Sequence, residues 1–305
     1  MKATISNDIR AFQITHPEKM IWQNPQVNKL QFLRYLNTVA PLMLPFLAKR
    51  RLTVIRFPHG VPGPSFFQKK CPEYAPDFVQ TDEAEGSRYI LCNTAKTLLW
   101  LGNQLAIEYH IPYQKAAVAH PEEIVFDLDP PERTAFPLAI RAALEMKQLF
   151  ERLSLVSFPK LSGSRGIQIH LPIIGLSLNY QETRLFTAFI AEVLVGRFPE
   201  LFTIERLKKN RRNRLYLDYV QHAEGKTIIC PYSPRGKEGA TVAVPLFWHE
   251  VDSALNMNAF TVAKVLERVN QGIDPMRHYF ECRNHPLLAI IEQLKKLRKN
   301  GFNHS

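Results

Sequence analysis

The ten residues EEIVFDLDPP (122–131) constrain the fold more than any other segment. An apolar run stopped by Pro130 and Pro131 reads as a buried strand. Side chains alternate along a strand, so Asp127 and Asp129 project from one face. Carboxylates this close repel strongly unless a cation sits between them. Mg²⁺ or Mn²⁺ is the natural candidate, because hard cations take carboxylate oxygens. The prolines leave both acids at a rim that a substrate could reach. The competing reading is a solvated Asp-Pro turn after a core strand.

Strands and helices alternate around this segment. Residues 1–13 read as a loose end. Asn28 with Gln31 makes a capping box, and Leu30, Leu33, Leu36 and Val39 follow as a helical stripe whose end is blurred by Pro41 and Pro45. LTVIRF (52–57) reads as a strand. Residues 58–80 read as a long Pro- and Gly-rich loop carrying Phe66, Phe67, Lys69 and Lys70. A loop that long is usually functional or disordered, and aromatics beside lysines favour function. Helices are predicted over 94–107 and 136–153. Strand-like LSLVSF (153–158) and IQIHLPI (167–173) come next, then a helix capped by Asn179 and Glu182 and running to about Arg197. RLYLDYV (214–220) and KTIIC (226–230) predict a hairpin, and 259–269 and 287–299 predict closing helices. The alternation indicates an α/β or α+β chain. A length of 305 residues predicts two domains or one large one, at ~150 residues per domain. No clean linker interrupts the sequence, which favours one body with two lobes.

Lys plus Arg total 39 against 28 Asp plus Glu, a formal net charge of +11. That excess argues for a polyanionic partner, nucleic acid first and an anionic membrane surface second. RLKKNRRNR (206–214) is all basic or neutral and directly precedes the strand that holds Asp218, where it could track a backbone. KKLRK (295–299) reads as a solvated face. With 46% hydrophobic and 22% charged residues, wholesale disorder and collagen-like repeats are excluded. Cys71, Cys92, Cys230 and Cys282 lie far apart without a Cys-x-x-Cys, so a zinc ribbon or finger has no ligand set and a reducing compartment is expected. The polar start holds no apolar signal core, and no apolar run spans ~30 Å of hydrocarbon. The expected setting is therefore soluble and intracellular, without a membrane.

Three further features could carry chemistry. Ser162-Gly163-Ser164-Arg165-Gly166 leads into a strand; its glycines let backbone N–H groups converge on a phosphate, and its serines and arginine add donors and charge. Gln168 and His170 follow at period 2. The competing reading is an ordinary Gly-rich hairpin, and the P-loop pattern is absent. Asp218 stands in apolar Leu215–Val220, which is costly unless it is metal-bound or paired to a preceding arginine. Arg235 lies beyond the tight turn of Tyr232-Ser233-Pro234, suited to a phosphate or merely at the surface.

In order and spacing these motifs resemble the polymerase domain of bacterial ligase D, in the archaeo-eukaryotic primase superfamily. The resemblance runs from ITHPEKMIW (14–22) and FPHGVPGPSFFQKKCPEYAP (57–76) through EEIVFDLDPP and LSGSRGIQIHLPI (161–173) to LDYVQHAEGKTIICPYSPRGKEGATVAVPLFWHEV (217–251). It implies an α+β fold, a primase-type core with an RRM-like sheet, a second α/β lobe and helices packed around. Residues 1–305 would form a single primase-polymerase domain, with a DNA-end-binding lobe near 14–118 and a catalytic lobe near 119–305. The implied function is template-directed nucleotidyl transfer that fills gaps and extends DNA ends in non-homologous end joining, with ribonucleotides accepted. Asp127, Asp129 and Asp218 would hold two Mn²⁺ or Mg²⁺ ions. Ser162, with Ser164, Arg165, Gln168 and His170, would bind the triphosphate, and Arg235 would grip a phosphate. Lys19 and Lys29 would hold the 5′-phosphate of the downstream strand, and Phe66 and Phe67 would stack on a template base. The implied partners are DNA ends with a gap or overhang and a 5′-phosphate, NTP or dNTP, Ku and a separate DNA ligase, in a cytoplasmic, nucleoid-associated setting.

The sequence departs from the family pattern Ser-Gly-x-Lys-Gly-x-His, with Arg165 at the lysine and Gln168 at the histidine. Glutamine can donate to a phosphate oxygen but cannot carry a proton. No ligase nucleophile motif of the Lys-x-Asp-Gly type is present, so ligation would fall to another protein or another part of the chain. The alternatives are a primase that starts chains on bare template, a non-catalytic DNA-end adaptor, and a metal-dependent nuclease. The crowded acids argue against the adaptor, and the triphosphate-shaped turn argues against the nuclease.

Overall fold

A computed structural model describes residues 13–299, so most of the loose end read over 1–13 lies outside the described residues. The strands in chain order are β1 (Met20–Trp22), β2 (Val27–Asn28), β3 (Thr53–Arg56), β4 (Phe66–Gln68), β5 (Thr81–Ala84), β6 (Ser87–Ile90), β7 (Ala106–Pro112), β8 (Glu123–Asp129), β9 (Phe158–Leu161), β10 (Ile167–Pro172), β11 (Phe202–Thr203), β12 (Leu215–Asp218) and β13 (Thr227–Ile229). The α-helices are α1 (Lys29–Leu47), α2 (Ala95–Asn103), α3 (Phe136–Arg152), α4 (Tyr180–Arg197), α5 (Val262–Asn270) and α6 (Pro286–Lys299). They sort into two compact units. The first runs up to Ala116 and adds Thr227–Val244 and Asn256–Asp274; the second holds Ala117–Lys226, Pro245–Leu255 and the chain from Pro275 on. The lobes drawn from sequence, 14–118 and 119–305, thus differ from the units: 227–244 and 256–274 pack with the first.

The second unit is built on a sheet of order β11-β12-β8-β10-β9. Without the added edge strand β11, its elements run β8-α3-β9-β10-α4-β12, a split βαβ with β8 and β10 central, which is the RRM-like topology the resemblance implied. Alternation divides the sheet into two faces. Ile124, Phe126 and Leu128 of β8 share one face with Ile167, Ile169 and Leu171 of β10 and Leu217 of β12, and all are buried. Helices α3 and α4 pack against that face. There Phe126, Phe150 and Phe186 form a triangle of rings with centroids 5.5, 6.3 and 6.4 Å apart. The opposite face carries Asp127, Asp129, Asp218, Lys160, Gln168 and His170.

The first unit holds a sheet of order β13-β7-β3-β4, with α1 packed on α2. Asn28 caps α1 through the reciprocal bonds with Gln31 that the sequence predicted. The helix then continues through Pro41 and Pro45 to Leu47. Both prolines lie on its exposed face, so their rings meet no packed neighbour there. At its buried face Tyr35 Oη donates to Tyr232 O at 2.6 Å.

Further sequence expectations differ from the structure: the loop read over 58–80 contains β4, which pairs with β3. The helix predicted over 94–107 ends at Asn103, and β7 begins at Ala106, with Leu105 at φ +60° turning the chain between them. Residues 153–157 are not a strand; β9 starts at Phe158. The hairpin drawn from 214–220 and 226–230 is also absent. Strand β12 pairs with β8 in the second unit, whereas β13 pairs with β7 in the first, Ile228 opposite Ile111. Local spacing permits a hairpin, but open sheet edges far along the chain give each strand more apolar area to cover. No helix among the described residues is long and apolar enough to cross a membrane, and the four cysteines are free thiols.

Phe150 is one corner of the ring triangle and is wholly buried. Phe150→Ala is expected to lower unfolding free energy by about 3–5 kcal/mol in urea denaturation. A loss below about 1 kcal/mol would show that α3 does not seal this sheet.

Candidate active site

The site is assembled on the polar face of the second unit's sheet. Asp127 opposes Asp218 across β8 and β12, and Asp129 opposes Tyr216. Directly opposed residues in an antiparallel pair project to the same side, so the three acids share a face although Asp218 is far from the others in sequence. The Asp127 carboxyl is pushed up to about 6, first by burial and then by the charge of Asp129; the Gln168 hydrogen bond pulls it down and Asp218 pushes it further up. Asp129 accepts a bidentate pair from Arg165, Nε to Oδ1 and Nη2 to Oδ2, both at 2.7 Å. Asp218 Oδ1 accepts from Tyr216 Oη at 3.2 Å and from the Gln221 N–H at 3.0 Å. The Tyr216 phenol is pushed up to about 12 by burial and by Asp218, so it stays a donor. Arg211 lies over the Tyr216 ring at 3.8 Å, rather than pairing with Asp218 as one reading of the sequence had it.

As they stand, no three His, Cys, Asp or Glu side chains among the described residues form a ready metal-ligand set. The physical reason is visible in the partners. Like charges repel, and Arg165, Gln168 and Tyr216 each draw one carboxylate toward themselves. The residue types nevertheless suit a divalent cation: acidic oxygens share one face, where burial and then the charge of Asp129 have raised Asp127. A cation at Asp129 would compete with the Arg165 guanidinium.

The Ser162–Gly166 turn sits against this face. Ser162 Oγ accepts from the N–H groups of Ser164 at 3.2 Å and Gly166 at 3.1 Å, and Ser162 N donates to Gly166 O. Gly163 has φ +68°, which suits glycine. At Gly166 a Cβ would stand 2.5 Å from Leu128 O, so only glycine lets the turn lie on β8 between the two acids. Gln168 Nε2 donates to Asp127 Oδ1 at 3.2 Å. His170 shares the face but is wholly buried, with Nδ1 donating to Glu123 at 2.9 Å and Tyr279 Oη donating to the same oxygen at 2.7 Å. It belongs to that buried network rather than to the open end of the sheet. Sequence reading also missed Lys160, a buried lysine in β9; its signal is alternation with apolar Pro159 and Leu161.

The remaining candidates lie in the first unit. Lys19 Nζ donates to Pro58 O at 2.6 Å; Lys29 Nζ donates to Thr15 O at 2.5 Å and Thr15 Oγ1 at 2.9 Å. The Lys29 ammonium is held down to about 8, by burial first and by the like charge of Lys19 second. Two mutually repelling cations form a place where an anion is welcome. Phe66 and Phe67 on β4 are 46% and 68% exposed, and the Arg56 guanidinium lies 5.4 Å from the Phe66 ring centroid. Arg235 is not a simple surface arginine: its side chain is 16% exposed and its Nε lies 3.4 Å from Glu108 Oε1. Burial pushes the Glu108 carboxyl up, but the His110 hydrogen bond, the charge of Arg235 and the Gly236 N–H outweigh it and hold the group below the usual range. Glu108 and His110 escaped the sequence reading because β7 itself did; their period-2 spacing in AIEYHIP was the available signal.

The solved structure of the polymerase domain from Mycobacterium tuberculosis ligase D, in complex with DNA, matches with a TM-score of 0.81 at 28% identity, covering 88% of this chain and 97% of that one. The family model "LigD, primase-polymerase domain" matches residues 28–276, and the chain belongs to this family. The bifunctional non-homologous end joining protein LigD of Bacillus subtilis is 50% identical over 285 residues, 93% of this chain and 47% of that protein. The multifunctional LigD of Mycolicibacterium smegmatis is 30% identical over 267 residues, 85% of this chain and 35% of that protein. The chain thus spans about half the length of these relatives, or less.

The loop that follows Asp218 is pinned by His222. Thr183 Oγ1 donates to Tyr180 O, so His222 Nε2 is the donor in its 2.9 Å bond to that hydroxyl. Burial holds the imidazole down to about 4; Glu123 opposes this and Arg184 adds to it. In the unfolded chain the ring protonates near pH 6.5. The stability it supplies is therefore complete above pH 6.5 and is lost as the pH falls toward 4. His222→Gln is expected to lose about 2–3 kcal/mol less than the unmodified chain between pH 7 and 4.5 in urea unfolding. Parallel pH profiles would remove His222 as the cause.

Proposed function

We propose that this chain is a template-directed nucleotidyltransferase that fills gaps and extends DNA ends in non-homologous end joining. The observation that carries the reading is the pairing of Asp218 opposite Asp127, which puts three acids on one sheet face beside the Ser162–Gly166 turn. Asp127, Asp129 and Asp218 would hold two Mn²⁺ or Mg²⁺ ions. When bound, such ions lower the pKa of an attacking 3′-hydroxyl and stabilise departing pyrophosphate. The protein's own part is positional. The Ser162 hydroxyl, its oxygen fixed by two N–H groups of the turn, donates to the triphosphate, Arg165 exchanges Asp129 for a phosphate oxygen, and Gln168 donates without transferring a proton. In the first unit Arg235, kept in place by Glu108, would grip a phosphate.

In the first unit, Lys19 and Lys29 would receive the 5′-phosphate of the downstream strand, while Phe66 and Phe67 stack on a template base. The basic excess grips the backbone without reading sequence, and template pairing selects the incoming base. Ribonucleotides are accepted alongside deoxyribonucleotides. Ku and a separate ligase activity complete end joining. The family membership and the DNA complex of the structurally similar M. tuberculosis domain support this reading over a DNA-end adaptor.

The test is extension of a short gapped duplex bearing a 5′-phosphate, with Mn²⁺ and each nucleotide in turn. Asp127→Ala and Asp218→Ala are each expected to reduce addition to background, with melting temperatures within about 5 °C of the parent. Near-normal extension by either would remove the metal-site assignment. Replacing Lys19 and Lys29 together by methionine is expected to weaken binding to the 5′-phosphorylated gap about tenfold or more, with much less effect on a 5′-hydroxyl gap. Equal losses on the two duplexes would refute the phosphate role.

A further inference from the structure

Lys160 and Gln168 stand opposite each other on β9 and β10. The lysine is 0% exposed, and nothing in the proposed reaction yet uses it. Its Nζ donates to Gln168 Oε1 at 2.5 Å, and Gln168 Nε2 donates in turn to Asp127 Oδ1 at 3.2 Å. An ammonium offers only donors and a carboxylate only acceptors. The amide between them therefore has one satisfactory orientation, oxygen toward Lys160 and NH₂ toward Asp127. Flipping it would set N–H groups against the ammonium and oxygen against the carboxylate. The NH₂ carries two hydrogens, and Asp127 takes one of them. Charge placement agrees: of the three acids on this face, the bidentate bond from Arg165 serves Asp129 alone, and burying an ammonium is costly without nearby negative charge.

We propose that Lys160 is a positioning residue for nucleotide binding: it locks the Gln168 carboxamide so that one N–H restrains Asp127 and the other is presented to an oxygen of the bound triphosphate. This rests on reading the polar face as a triphosphate site. The lysine touches no substrate; it acts through the glutamine. The pair supplies a donor that does not titrate near neutral pH, in the place where a bare glutamine would be free to turn its oxygen toward the phosphate.

A double-mutant cycle tests the relay, read by calorimetric titration of ATP into the full chain in EDTA, which needs neither metal nor turnover. Gln168→Leu and Lys160→Met are each expected to weaken ATP binding about fivefold. The double variant should lose no more than the weaker-binding single variant, because the two residues act in series. Losses that multiply to about 25-fold would overturn the relay, as would parent-like binding by Lys160→Met. Melting temperatures are followed in parallel. If Lys160→Met does not fold, Gln168→Glu replaces it: the carboxylate still pairs with Lys160 but has no N–H, and it is expected to bind ATP more weakly than Gln168→Leu. Parent-like binding by that variant overturns the proposal. A parent chain that binds ATP neither in EDTA nor with Mn²⁺ fails the nucleotide reading and the relay with it, whereas parental binding with multiplying losses fails the relay alone.

Discussion

The second unit depends on one constraint: a sheet whose two faces are chemically opposite must keep its register. Ile124, Phe126 and Leu128 point toward α3 and α4, and Asp127 and Asp129 point away from them. A slip of one residue in β8 would drive both carboxylates into the helices and expose the Phe126 ring. The apolar face therefore enforces the crowding of acids on the other. Burying the ring triangle offsets the cost of holding Asp127 where burial first, and the charge of Asp129 second, have raised it to about 6.

That crowding explains the neighbours. Each acid has a different partner: Arg165 for Asp129, the Lys160–Gln168 chain for Asp127, and the Tyr216 hydroxyl with a backbone N–H for Asp218. These partners keep the carboxylates separately satisfied, which is why they do not stand as a closed ligand set. The first unit shows the converse arrangement. Lys29 is buried and meets Lys19, and the pair rests on carbonyl and hydroxyl oxygens instead of carboxylates. Acids without enough cations suit metal ions, and two cations whose hydrogen bonds among the described residues go to neutral oxygens suit an anion.

Much of this was legible in the chain. The alternation in EEIVFDLDPP placed Asp127 and Asp129 on one face, and the Asn28/Gln31 and Asn179/Glu182 boxes marked helix starts, because these depend on residues within a few positions of one another. What failed had the opposite character. Pro41 and Pro45 end a helix by local rules, yet here they lie on a face open to water. KTIIC was given to the nearest strand, and His170 was placed with the phosphate turn because it follows Gln168 at period 2. Its side chain was instead taken by Glu123 and Tyr279, the latter 109 positions further along, as His170 and Tyr279 show by sharing one Glu123 oxygen.

The amino-acid sequence alone determined the pattern of faces, the acidic pair, the glycine turn and the basic excess, since period and composition are local properties. Only the tertiary structure decided that Asp218 lies opposite Asp127, that Lys160 is buried behind Gln168, and that Arg235 is held by Glu108. Each of those depends on which distant strands pair, and in what register. That choice is made by the total apolar area that two sheets can cover, a sum over the whole chain that no short stretch of it contains.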